Sequence, residues 1–122
     1  MIDFKKLYLS FKRAFYGLKI AILEEQTFKI QTGIGVLVLF LMFLFPLKTF
    51  ERIILIFIVI IVLALELINS QVERVLDFLN SDFHPKVKRI KDMSAAGVLI
   101  VSLGAIAVGL FIFLPYFLHF LR

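Results

Sequence analysis

An all-α integral membrane protein, built from an N-terminal amphipathic interfacial helix and three transmembrane helices, is the architecture this sequence predicts. Three observations carry it. Hydrophobic residues fill 61% of the 122 positions and the mean hydropathy is +1.02, too apolar for a soluble domain whose surface must carry charge. Apolar stretches run from about Ile30 to Leu47, from Ile53 to Leu65 and onward, and from Ala95 to Leu121; each covers most of a hydrocarbon core that takes about 20 helical residues. Ahead of them, Ile2 to Glu24 sets Phe4, Leu7, Tyr8, Phe11, Phe15, Leu18 and Ile22 between basic residues at spacings of three and four. That is the pattern of a helix lying in the interface plane, aromatic on one side and basic on the other.

The first span carries Gln31, Thr32, Gly33 and Gly35 at its start and Pro46 near its far end. Gly33 and Gly35 suit close helix packing. They form no phosphate loop, because no strand precedes them and the chain contains no GxxxxGK[ST]. A short connection around Lys48 to Arg52 makes the first two spans an antiparallel hairpin. The second helix outruns the membrane: after Leu65 its pattern turns amphipathic, with Leu67, Ile68, Val72, Val75, Leu76 and Leu79 apolar. Asn80 and Ser81 mark its end, and Pro85 after His84 breaks any continuous helix there. In the third span Ala95, Ala96, Gly97, Gly104, Ala105 and Gly109 predict helix bundling or association of subunits.

Charge sets an expected orientation. Lys5, Lys6, Lys12, Arg13, Lys19 and Lys29 precede the first span, and Arg74, Lys86, Lys88, Arg89 and Lys91 lie between the second and third, against Lys48 and Arg52 in the first connection. The positive-inside rule then puts the N-terminus and the second connection in the cytoplasm and the C-terminus outside, in the cell (inner or plasma) membrane. The formal charge of +5 gathers on one face, suited to anionic headgroups or a phosphorylated soluble substrate. No cleaved signal peptide is expected. Without cysteine, and with His84 and His119 as the two histidines, disulfides, a cysteine nucleophile and a zinc site are excluded or disfavoured.

The run "ALELINSQVERVLD" places acids where a span should still be apolar. At 100° per residue, Glu73 and Asp77 fall about 20° to either side of Glu66, with Ser70 about 40° and Asn69 about 60° away. A carboxylate facing lipid costs about 2.5–3.5 kcal/mol even on lenient insertion scales, so this stripe faces protein, water or a ligand. Thirteen apolar residues precede Glu66 directly, which keeps it near the membrane boundary. A second acidic pair, Glu24 and Glu25, stands just before the first span. Carboxylates without thiolates suit Mg²⁺, which takes one or two of them and completes its shell with phosphates and water. A base at the bilayer edge beside such a metal fits phosphoryl transfer from ATP to a lipid hydroxyl. Spacing alone leaves open a small transporter that binds ions at Glu66, or a noncatalytic membrane assembly protein.

The run "ELINSQVERVLDFLNSDFHPKVKRIKDMSAAGVLI" and the upstream "FKRAFYGLKIAILEEQTFKIQ" resemble the prokaryotic diacylglycerol kinase and undecaprenol kinase family over nearly the whole chain. The resemblance implies a single membrane-embedded lipid kinase domain over residues 1–122, assembled as a homotrimer that uses ATP and Mg²⁺ on a membrane lipid, with no nucleic acid involved. It makes Glu66 the general base for the lipid's primary hydroxyl and Glu25 and Glu73 the metal ligands that present ATP. Asn69, with Ser70 next to it, stands beside the reacting groups. It assigns nucleotide contacts to Asp82, Phe83, His84, Lys91 and Asp92, with Lys6 and Arg13 as weaker candidates. Gln71 stands where the family has a small alanine, Gln31 where its Gram-positive branch often has histidine, and Gly97 where alanine is common. The His84–Pro85 step and "IFLP" at Ile112 to Pro115 resemble that branch, many of whose members act on undecaprenol.

Overall fold

A computed structural model describes residues 1–79 and 84–122. Among them the chain forms four helices, α1 (Phe4–Glu24), α2 (Gln26–Leu44), α3 (Thr49–Leu79) and α4 (Pro85–Phe120). The last three are long and apolar enough to cross a membrane. At 1.5 Å per residue, α3 with its 31 residues and α4 with its 36 are about 46 and 54 Å long, well beyond a hydrocarbon core of about 30 Å. The third apolar stretch therefore belongs to a helix that starts at Pro85, ten positions before the expected Ala95, and α3 outruns the membrane as its change of pattern predicted.

Local chemistry fixes each boundary. Asp3 caps α1 by accepting from the Lys6 amide at 3.1 Å. α1 and α2 are separated by one extended residue, Glu25 (φ −94°, ψ 107°). Its amide still donates to Ala21 O at 2.9 Å and its carbonyl accepts from the Lys29 amide at 3.0 Å, so the chain turns an elbow with no loop. The α2–α3 connection is shorter and earlier than Lys48 to Arg52. Pro46 follows the last turn of α2, and Lys48 is already tied to the first turn of α3, its amide donating to Glu51 Oε1 at 3.0 Å. That bond is half of a capping box. At α4, His84 is the N-cap and Pro85 the first helical residue, where a missing N–H costs nothing.

α3 is the central element, packed against both α2 and α4, while α1 leans on α2. The apolar core sits at the α2–α3 hairpin end: Met42, Leu47, Leu55 and Ile112 are buried together, and Phe45 meets Phe113 and Phe120 edge to face at 6.1 and 6.5 Å. Beside it, the Tyr116 hydroxyl of α4 donates to Glu51 Oε1 of α3 at 2.5 Å. Replacing Tyr116 with phenylalanine removes this bond to a charged acceptor and is expected to lower the midpoint of thermal unfolding in micelles.

Gly35 is buried where α2 crosses α3, and a Cβ there would lie 2.9 Å from Val59 Cγ1. Valine is stiff at χ1 and cannot swing aside freely. Gly35→Ala is therefore expected to cost about 1 kcal/mol, overpacking outweighing the gain in helix propensity, and Val59→Ala in the same chain should restore the unfolding midpoint. Gly33, Gly97, Gly104 and Gly109 behave otherwise: a Cβ at any of them meets nothing within 4 Å. The close packing expected of Gly33 and of the third span's glycines does not occur among the described residues of this chain.

Candidate functional site

At the elbow end of the bundle, α3 buries polar side chains where its other half buries aliphatic ones. Glu66, Asn69 and Ser70 are 4, 8 and 6% exposed. They occupy two successive turns of α3, whose far side, about 160° around from Glu66, carries the exposed Ile68. Ser70 Oγ donates to the Glu66 carbonyl at 2.7 Å, which satisfies the hydroxyl within the helix. Asn69 Oδ1 is buried with no hydrogen-bond partner among the described residues, an uncommon condition that costs free energy unless a ligand or water answers it. No cation pairs with Glu66 among the described residues, so its burial is not explained by an internal salt bridge.

The other acids arrange themselves around this group unequally. Glu25 comes from the elbow, its side chain mostly buried, while Glu73 and Asp77 are exposed farther along α3. The stripe expected along one face is thus buried at Glu66 and open to solvent two turns on. Glu25 and Glu73 lie close enough to Glu66 to act on it electrostatically, so carboxylates from the elbow and from α3 share one locality.

Cations close the periphery. Arg74 Nη2 is 2.5 Å from Glu25 Oε1 and 3.2 Å from Glu24 Oε2, joining the elbow to α3. Lys91 of α4 forms an ion pair with Asp77 of α3, and Lys88 pairs with Asp92 one turn on at 2.9 Å. Lys91 and Asp92 are therefore brought to the same end as the acids, each with a partner from this chain. His84 Nδ1 accepts from the Lys86 amide at 3.2 Å, a capping role. Lys6 and Arg13 are exposed on α1, and among the described residues neither side chain contacts the acidic group. Asp82 and Phe83 lie outside the described residues, as do Asn80 and Ser81.

The donor set suits a hard divalent cation. It is all oxygen, and Glu25 Oε1 is buried without an aligned hydrogen-bond donor even though Arg74 stands beside it. No three His, Cys, Asp or Glu side chains converge as a ready cage among the described residues; Mg²⁺ needs none, since one or two carboxylates with substrate phosphates and water complete its shell. Toward the hairpin end an apolar cleft of about 630 Å³ opens between α2, α3 and α4, running from Gln31 and Val62 past Gly35 and Ala105 to Phe117. Val62 is one turn from Glu66.

Sequence comparison decides the family. The model of the prokaryotic diacylglycerol kinase family matches residues 12–113. The chain belongs to that family. Among its relatives, a diacylglycerol kinase of Helicobacter pylori is 41% identical over 103 residues, covering 80% of this chain and 76% of its own. The undecaprenol kinase of Bacillus subtilis is 28% identical over 113 residues, covering 93 and 92%. The diacylglycerol kinase of Escherichia coli is 34% identical over 91 residues, covering 74% of each. The chain is accordingly a transmembrane phosphotransferase of a prokaryotic lipid kinase family. Two polar residues at this end escaped sequence reasoning, Glu24 as an ion-pair partner and Arg74 as the cation that holds it. The signal available was an arginine next to Glu73 in "VERVLD", read there as a charge that sets orientation.

Proposed function

We propose that the chain is an ATP- and magnesium-dependent lipid kinase that phosphorylates the primary hydroxyl of a membrane lipid, undecaprenol or diacylglycerol. The observation that carries this reading is the burial of Glu66 beside Asn69, with no cation among the described residues to account for it. Its neighbours in the family are named for those two acceptors. Glu66 accepts the hydroxyl proton as the lipid oxygen bonds to the γ-phosphorus and the bond from that phosphorus to the β,γ-bridging oxygen breaks, ADP leaving with the electron pair; general-base work of this kind is worth about 10²–10⁴-fold. Asn69, whose carbonyl oxygen has no partner among the described residues, orients the hydroxyl. Glu25 and Glu73 hold Mg²⁺, which when bound neutralises and aligns the phosphate oxygens. Lys91, Asp92 and His84 contact the nucleotide, joined by Asp82, Phe83, Lys6 and Arg13 from the rest of the cytoplasmic face.

The α1 helix lies in the interface with its basic side in the cytoplasm, the C-terminus lies outside, and the 122 residues act as a single domain within a homotrimer. The apolar cleft beside Val62 gives a hydrocarbon tail a path that ends one turn from the base. The test is transfer of labelled phosphate from ATP, with magnesium, to diacylglycerol and to undecaprenol presented separately in mixed micelles. Label in one lipid identifies the acceptor; label in neither, with well-folded protein, rejects the kinase reading in favour of a transporter or an assembly protein.

A further inference from the structure

Arg74 sits where a metal is expected to work. Its guanidinium reaches across 50 positions of sequence to Glu24 and approaches Glu25 Oε1 at 2.5 Å. Yet Glu25 Oε1 accepts no aligned hydrogen bond, so the contact is chiefly a charge contact. A guanidinium and a divalent cation cannot both occupy that oxygen's open side. The Arg74 side chain is 48% exposed while that of Glu25 is 19% exposed, so the arginine is the partner with room to leave. Without some cation, a mostly buried Glu25 near Glu66 and Glu73 would stand in a locality of like charge, which is unfavourable.

We propose that Arg74 is the resting counter-ion of Glu25: the divalent cation that arrives with nucleotide displaces the guanidinium from Glu25, and the freed guanidinium pairs with a phosphate of that nucleotide. The inference rests on Glu25 being a metal ligand. Exchange of carboxylate for phosphate is chemically natural for arginine, whose planar fork matches both. It keeps the charge of the site nearly balanced before and after loading. Two further charged groups expected at the nucleotide, Lys91 and Asp92, are likewise held in ion pairs, by Asp77 and Lys88.

The experiment is a titration of the full-length protein in micelles with Mn²⁺, followed by electron paramagnetic resonance, without nucleotide and then with a non-hydrolysable ATP analogue. The variants are Arg74→Met, Arg74→Lys and Glu25→Gln. Without nucleotide, Arg74→Met is expected to bind Mn²⁺ on the order of tenfold more tightly than wild type, and Arg74→Lys to stay near wild type. With Mn²⁺ saturating, Arg74→Met is expected to bind the analogue more weakly. Unchanged or weaker Mn²⁺ binding in folded Arg74→Met protein overturns the competition, and unchanged affinity for the analogue overturns the exchange to phosphate. Glu25→Gln separates the two levels: if it binds Mn²⁺ as wild type does, the metal-ligand reading fails; if it binds weakly while Arg74→Met is unchanged, only the counter-ion role fails.

Discussion

Glu66→Gln is expected to lower the turnover of lipid phosphorylation by about 10²–10⁴-fold, the usual loss when a general base is removed, with little change in fold. Glutamine keeps the size of the buried side chain and removes its charge. Because no cation pairs with Glu66 among the described residues, the substitution strands no buried partner, and the variant should unfold at or slightly above the wild-type temperature. That combination separates a functional acid from a structural one. A buried acid kept for packing would give the opposite pattern, with stability changed and turnover kept. The two measurements are initial rates at saturating ATP and lipid, and thermal unfolding in the same micelles.

Glu73→Gln and Glu25→Gln are expected to fail differently. If these carboxylates hold Mg²⁺, each loss lowers turnover on the order of 10²-fold at modest magnesium, with partial recovery as magnesium is raised. Glu66→Gln should show no recovery under the same titration, because the missing group takes a proton and not a metal. Glu25→Gln also frees Arg74 from one of its two carboxylates, leaving Glu24 as its partner; Glu73→Gln disturbs no ion pair among the described residues. Glu73→Gln is therefore the cleaner reporter. A turnover insensitive to both substitutions at limiting magnesium would remove these residues from the metal site.

Much of this arrangement was legible in the sequence because the membrane makes misplaced polarity expensive. Glu66 follows thirteen apolar residues, and the cost of exposing it to lipid leaves it few places to face; the structure buries it. The same cost made the three long apolar helices readable, although Pro85 reads in the sequence as a break and α4 starts there, ten positions before the expected Ala95. What escaped depends on how helices meet. Gly33 and Gly35 look equivalent in the sequence but lie about 200° apart around the helix, so only Gly35 meets Val59. The amphipathic helix ends at Glu24 as its pattern predicts, but Glu25 is neither glycine nor proline, and nothing local announces that this one residue joins it to the next helix. Arg74 could not be matched to Glu24 and Glu25 across so many intervening residues without knowing that α3 returns alongside the elbow. Helix periodicity placed Glu66, Glu73 and Asp77 on one face, but it could not say that packing covers the first and leaves the other two open.

The central claim is that acids gathered at one end of α3 join a lipid hydroxyl to a nucleotide phosphate. Its most direct measurement follows the γ-phosphate of labelled ATP into the lipid extract, with wild-type and Glu66→Gln protein side by side, in the presence of magnesium and after its removal by chelation. Label in the lipid that requires magnesium and disappears with Glu66→Gln is the predicted result. Magnesium-dependent label that persists at the wild-type rate in a folded Glu66→Gln protein would contradict it.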